Sequence, residues 1–560
     1  MSTLRRRIAL PFKAAVWVVM TPVAGATNFA KCCMYAVRDN MEQYRNVYPP
    51  WSVCNYSQPI GYPTNGTLQS VTATLGWCKQ RCPGTQVSEL GQWLQPLATY
   101  LSPYIGLLLI CPVGDVTPIQ PAEGTHKIVA KVLIFLDIVR CSVQEYVCLL
   151  GDPASAMWGA FSEILNDMKL VRKINEVGAK EPFTRKTYYV WIALLAGSND
   201  YEGTKLGKLG EVVMSTDKQT AEPDEKKQLS ITTVTSADNS KVHQDNLRHL
   251  LKCMIEARAS FVLSVLIPVV LMLAVTASVF YDAYNKLGDN DTAHGLAYCV
   301  WYSWIISLAV AANSFASSLN KNLPTKALGD FVTIKNWAVP LRDRSINAAR
   351  WRNWAAESDP DFAELKTSYD WKFKTRMLWG HFLGWLCIAL PTASAASISY
   401  MTPTVGLGCR SFNHLLYGVL TFVVAMLNVF RKNAERSDLT RSEAFKGHVP
   451  RREKAINAVY WFLVGLSAFV FVGGTAFQLA GVYRNCLCNG PFASDSLLVE
   501  MNRNTDEMVK NARLYWLPVG YVTFSIAWAL ALVVITGRAY IMEHMNMLCN
   551  VAEKSEADKS

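Results

Sequence analysis

RKNAERSDLTRSEAFKGHVPRREK, residues 431–454, runs almost directly into AVYWFLVGLSAFVFVGGTAFQLA, residues 458–480. The first stretch carries eight Lys or Arg, and the second carries no formal charge. At about 1.5 Å rise per residue, a helix over the second stretch covers a ~30 Å hydrocarbon core. A soluble core helix of that length keeps one polar face, because an apolar stripe is enough to bury it. This one is apolar all round, so it is expected to cross a bilayer.

Five further stretches read the same way: Phe261–Tyr281, Leu296–Ala316, Met377–Tyr400, Phe412–Phe430 and Tyr515–Ile535. The expected fold class is therefore all-α, a polytopic transmembrane helix bundle with a six-helix domain over 260–537. The composition, 51% hydrophobic with 18% charged residues, fits such a bundle joined to substantial polar parts.

The connections set the orientation. Basic residues beside a span stay in the cytoplasm, and Arg431–Lys454 is strongly basic. So is Ser317–Arg376, with Arg342, Arg344, Arg350, Arg352, Lys372, Lys374 and Arg376. The alternate connections are weakly charged: Asp282–Gly295, Met401–Ser411 and Gly481–Leu514. The alternation puts the C-terminal tail, 538–560, in the cytoplasm. The membrane is expected to be the plasma membrane or one of the secretory pathway.

Upstream, residues 1–35 open with Arg5, Arg6 and Arg7 before the apolar run Ala14–Ala26, which reads as a signal peptide or a signal anchor. Either places 36–95 outside. That region holds Cys54, Cys78 and Cys82 and glycosylation sequons at Asn55 and Asn65; a third sequon begins at Asn290 in a loop assigned to the same side. Residues 96–113, interrupted by Ser102-Pro103, return the chain inward as a crossing or a re-entrant segment.

Cysteines follow this map. Of 15, the exterior collects Cys54, Cys78, Cys82, Cys409, Cys486 and Cys488, where disulfides persist. At least one bridge is expected between the N-terminal ectodomain and a short outer loop, with the connectivity left open. A zinc site built on Cys78 and Cys82, or on Cys486 and Cys488, lacks an outer His or a second correctly spaced pair. No metal and no cofactor are expected.

Residues 114–196 have both ends in the cytoplasm. Lys131, Asp137, Arg140 and Glu145 interrupt Val129–Leu150, and charges facing lipid are expensive. An amphipathic helix is expected there. Asp152 then suits a helix cap and Pro153 its first position, with Gly178 able to end the helix. The pair reads as a cytoplasmic helical unit; a membrane hairpin using Val129–Leu150 and Tyr188–Leu195 preserves the same parity. Residues 197–240 are too polar to bury a core and read as a disordered linker. Residues 241–259 form an amphipathic helix lying on the inner leaflet or packed on the cytoplasmic unit.

Within the spans the polar residues are few. His381 is the most suggestive, with His414, Asn313, Asn428 and Gln478 beside it. Ser303, Ser307 and Ser314 form a small polar stripe that fits helix packing or a pore lining. The stretches hold no paired carboxylates, which argues against a proton-coupled pump. H-E-x-x-H, P-loop and G-x-S-x-G motifs are absent from the sequence. The aromatic and basic run Trp337–Trp354 is blunted by Glu357, Asp359, Asp361 and Glu364. Contact with anionic inner-leaflet lipids suits it better than nucleic acid, and the net charge of +11 reads the same way.

Two segments carry a resemblance. Ser399–Ser411 (SYMTPTVGLGCRS), with Gly151-Asp152-Pro153 and Met157-Trp158, resembles segments of uncharacterised polytopic membrane proteins of filamentous fungi. It implies a fungal source and supplies no catalytic residues. The expected function is that of a non-enzymatic surface sensor or scaffold binding the lipid bilayer and cytoplasmic protein partners. The alternative is a passive channel or carrier for a small uncharged solute.

Overall fold

A computed structural model describes residues 71–84, 96–111, 127–178, 266–285, 290–315, 371–402, 405–430, 451–501 and 506–557, with a few isolated positions besides. The expected signal segment, Asn55, Asn65, Cys54, the linker 197–240, the amphipathic helix 241–259 and Trp337–Trp354 lie outside or almost wholly outside the described residues.

Among the described residues the chain is helical apart from one two-stranded antiparallel sheet. Strand β1 (Thr72–Thr74) leads into α1 (Leu75–Arg81), which Thr74 caps by accepting the Trp77 amide at 3.3 Å. Helix α2 (Ser102–Ile110) follows a π turn, Leu97–Leu101. A widened turn before Pro103 relieves the clash that a proline ring makes with the preceding turn. Next come α3 (Lys127–Gly151) and α4 (Pro153–Gly178).

The spans are α5 (Ile267–Asn285), the pair α6 (Asn290–Tyr302) and α7 (Trp304–Phe315), α8 (Trp371–Met401), α9 (Cys409–Phe430) and α10 (Arg451–Ala480). Helix α11 (Cys486–Asn489), strand β2 (Leu498–Glu500) and α12 (Asp506–Asn511) precede the last span, α13 (Leu517–Ala557). A second π turn, Ala512–Trp516, stands just before Pro518. Six stretches are long and apolar enough to cross a membrane. The chain is thus an all-α polytopic bundle.

Three features of these spans were not read from the sequence. The residues assigned to a cytoplasmic tail continue α13 without a break as far as Ala557. The second span is broken at Ser303, where the Ser303 amide donates to Val300 and its carbonyl accepts from Ile306, both at 3.1 Å. Asn290, assigned to a loop, is the first residue of α6.

The broken span is the centre of the molecule. Of an 18-residue apolar stretch within Asp291–Asn313, 94% is buried, against 22% to 50% for the corresponding stretches of the other five. Around it stand α8 against α6, α13 and α2 against α7, and α9 between α8 and α10. Helices α8 and α9 turn at Gly406, whose φ of +144° suits glycine and whose amide donates to the Tyr400 carbonyl at 2.9 Å.

Helices α3 and α4, read from the sequence as a cytoplasmic unit or, alternatively, as part of a membrane hairpin, pack against the bundle, α3 on α10 and α4 on α8 and α7. Their junction, Gly151-Asp152-Pro153, is buried throughout. A Cβ on Gly151 would collide with the backbone of Val464, one on Gly384 with the Ala154 carbonyl, and one on Gly380 with the Trp158 ring. Small residues thus let the hairpin approach at backbone distance. Val464 lies ten residues inside the apolar stretch that begins at Lys454, about 15 Å along the axis. Val132, Phe135, Leu136, Val139 and Val143 recur on one exposed, apolar face of α3.

Candidate functional site

The polar groups of the bundle gather at two levels, separated by a layer of aromatic rings. At the end where α9 and α6 begin, disulfides assemble a cap. Cys78–Cys486 joins α1 to α11, Cys409–Cys488 joins the start of α9 to α11, and Cys32–Cys82 closes the N-terminal side. The first ties the N-terminal region to the loop after α10. Strand β1 pairs with β2, Thr72 opposite Glu500 and Thr74 opposite Leu498. Asn485 caps α11 by accepting the Cys488 amide at 2.7 Å. Cys32 belongs to this cap, and Cys33 is disulfide-bonded as well.

Beneath the cap lies a cationic layer. Arg484 faces Asp291 at 3.6 Å, and Arg410 donates to the Gln478 carbonyl oxygen at 2.7 Å. Burial pushes the Tyr483 phenol up to about 12 even though Arg410 nearby opposes the shift. One turn deeper, His294, Asn413 and His414 are buried. Gly474 makes this possible, because a Cβ there would fall inside the Asn413 amide, and its carbonyl accepts the Tyr298 hydroxyl at 3.2 Å.

The aromatic layer comes next. Trp301 meets His414, Phe471 and Tyr417 with ring centres 4.6, 4.7 and 5.2 Å away. Tyr302 shares a 2.6 Å hydrogen bond with Thr475 and stands 5.4 Å from the ring of Tyr104. Edge and tilted contacts of this kind stabilise by roughly 0.5–1.5 kcal/mol each beyond simple burial.

On the far side of the rings is the hairpin tip. Asp152 accepts the Ser155 amide at 3.2 Å, the Tyr460 hydroxyl at 2.7 Å and the Asn428 amide at 3.1 Å. Asn428 also donates to the Ser155 hydroxyl at 2.8 Å, and the Tyr417 hydroxyl donates to the Leu150 carbonyl at 3.0 Å. A carboxylate at this depth is tolerable only when its oxygens are satisfied. This helix cap is satisfied from three helices.

The sequence-named residues divide between these levels. Asn428 joins the tip and His414 and Gln478 the cationic level, while Asn313 stays local, donating to Ala309 at 2.9 Å. Ser307 donates to the Ala527 carbonyl at 3.4 Å and Ser303 is buried, so this part of the stripe is covered by α13. Ser314 lies on the last turn of α7. His381 is buried on α8 beside Gly380, away from the other histidines, and has partners of its own. Among the described residues, no group of three or more His, Cys, Asp or Glu suits a metal.

Sequence reasoning missed Asp152 as a carboxylate buried within the bundle, although it identified the cap. The available signal was Ala154, Ser155, Ala156, Gly159 and Ala160, small residues of a kind that close helix packing uses. It also missed Arg538, which is buried and donates to the Asn313 carbonyl at 3.2 Å. Comparisons with family models, curated proteins and solved structures return no match.

Proposed function

We propose that this chain is a non-enzymatic multi-pass sensor or scaffold of a cell surface. Its disulfide-bonded cap faces outward, and its basic connections and the end of α13 face the cytoplasm, where protein partners and anionic lipids bind. One observation supports this reading above the rest: α9 is fixed at both polar levels. At its start Cys409 is bonded to Cys488 of the cap, and farther along Tyr417 and Asn428 hold the hairpin tip. A displacement of the cap is thereby transmitted through one rigid helix to α3 and α4. The tightly packed rings of Trp301, Tyr417 and Phe471 favour a mechanical link over an open path.

A carrier is the second reading, favoured by the break at Ser303 and by the hairpin. Interrupted helices at membrane depth recur where substrates bind. Reconstitution separates the two. Full-length protein in liposomes is tested for flux of urea, glycerol, chloride and acetate, and a spin-label distance between cap and hairpin is read with and without the Cys488→Ser change. The relay reading expects a shifted distance and no flux above empty vesicles. Flux blocked by Ser307→Trp, with an unshifted distance, sinks it.

A further inference from the structure

Near the cap, α6 and α9 each bury a histidine with ring nitrogens that no protein atom satisfies. His414 has no hydrogen-bond partner at either nitrogen, and His294 has none at Nδ1. The Asn413 side-chain nitrogen, pressed against Gly474, also has none. Buried polar groups require partners, and the groups themselves define which partner fits.

The surrounding charge decides its sign. Arg410 bonds the neutral Gln478 amide and has no carboxylate within ion-pair distance among the described residues. Asp291, an acid that acts on Arg410, is 3.6 Å from Arg484. Arg410, Arg484, Asp291 and His414 all act electrostatically on His294, and among the described residues these are two guanidinium groups to one carboxylate. A cation meets net repulsion there. A small anion meets a guanidinium and several N–H donors in a low-dielectric setting, where such bonds are strong.

We propose that this cluster binds a small monovalent anion, a halide or a short carboxylate, entering from the cap side. Arg410 supplies the charge, and His414 and Asn413 supply hydrogen bonds. Arg484 and Asp291, with side chains 11% and 29% exposed, flank the entrance. The rings of Tyr298 and Trp301, edge-on to His414 with centres 4.9 and 4.6 Å away, floor the site and exclude bulky anions. The site rests on these residues alone, so a flux result on the relay reading leaves it standing.

The test uses full-length protein in nanodiscs, with chloride or acetate exchanged against gluconate at constant ionic strength and thermal unfolding followed by tryptophan fluorescence. A saturable rise in midpoint with chloride or acetate is expected. Arg410→Gln weakens the apparent affinity at least tenfold, and Arg410→Lys weakens it less. His414→Phe keeps the ring packing and also weakens binding, whereas Lys79→Gln on the cap leaves it unchanged. Should Arg410→Gln fail to fold by size exclusion, His414→Phe decides. Identical midpoints in all three salts overturn the proposal, as does a saturable shift that survives His414→Phe.

Discussion

Replacing Tyr460 with Phe removes one oxygen from the hairpin tip, and the structure sets what that loss costs. The hydroxyl donates to Asp152 at 2.7 Å, the shortest of the three bonds that carboxylate accepts. Hydrogen bonds to charged groups contribute roughly 1.5–3 kcal/mol. Asp152 keeps the Asn428 and Ser155 donors, so the loss is expected near the middle of that range, about 2 kcal/mol. Asp152→Ala removes more. It deletes a helix cap worth about 1 kcal/mol and removes the carboxylate to which the Tyr460 hydroxyl donates, at a further 1–3 kcal/mol or so. Asn428 still has the Ser155 hydroxyl and adds little. About 3 kcal/mol is expected in total. Because both changes remove the same bond, the double variant should be less destabilised than the sum by about 1–2 kcal/mol. Unfolding in mixed micelles with increasing SDS, followed by tryptophan fluorescence, measures all three. Additivity within about 0.3–0.5 kcal/mol, the scatter seen for independent sites, would refute the claim that Tyr460 and Asp152 meet inside the bundle.

Further expectations follow from packing and covalent geometry. Gly384→Ala forces a methyl into the Ala154 carbonyl and should destabilise by about 1–3 kcal/mol. Gly465→Ala, with nothing within 4 Å of its Cβ, should be neutral or stabilise slightly; the same SDS titration reports both. Peptide mapping without reduction should recover the Cys78–Cys486 and Cys409–Cys488 pairs. The first closes 408 residues against 79 for the second. Chain entropy then makes loss of Cys78 costlier than loss of Cys409 by roughly 1.5 kcal/mol, read as the difference between the Cys→Ser variants. Ser307→Ala should change stability by about 1 kcal/mol or less, because its bond to Ala527 is long at 3.4 Å.

How much of this was legible in the sequence depends on the range of the interaction concerned. The apolar stretches and their alternating charges are local properties, and the six spans follow from them. Asp152 and Pro153 were legible as the start of a helix for the same reason: a cap is written in adjacent residues. The location of that helix was not legible. Lys131, Asp137, Arg140 and Glu145 argued against lipid for α3. In the structure Asp137 and Arg140 satisfy each other at 2.6 Å, and Glu145 turns inward, leaving Val132, Phe135 and Val139 to the outside. Hydropathy averaged along a segment does not resolve which face a charge occupies. The disulfide partners were likewise illegible, since Cys78 and Cys486 stand 408 residues apart and nothing local links them. The cationic level had a partial signal. Arg410 and His414 share a helix face at i, i+4, but Asp291, His294 and Arg484 join them only through packing.

The account turns on the hairpin entering the bundle, and the exposed face of α3 tests this most directly. A nitroxide is placed at Val143→Cys, with accessible free cysteines such as Cys141 replaced by alanine, in protein reconstituted into bilayers. Collision rates with oxygen, which concentrates in lipid, are compared with those of a water-soluble nickel chelate. Frequent oxygen and rare nickel collisions are predicted, as at Val419 on the lipid face of α9. Nickel collisions matching those of an exposed aqueous site such as Lys79 would place α3 in water and contradict the account.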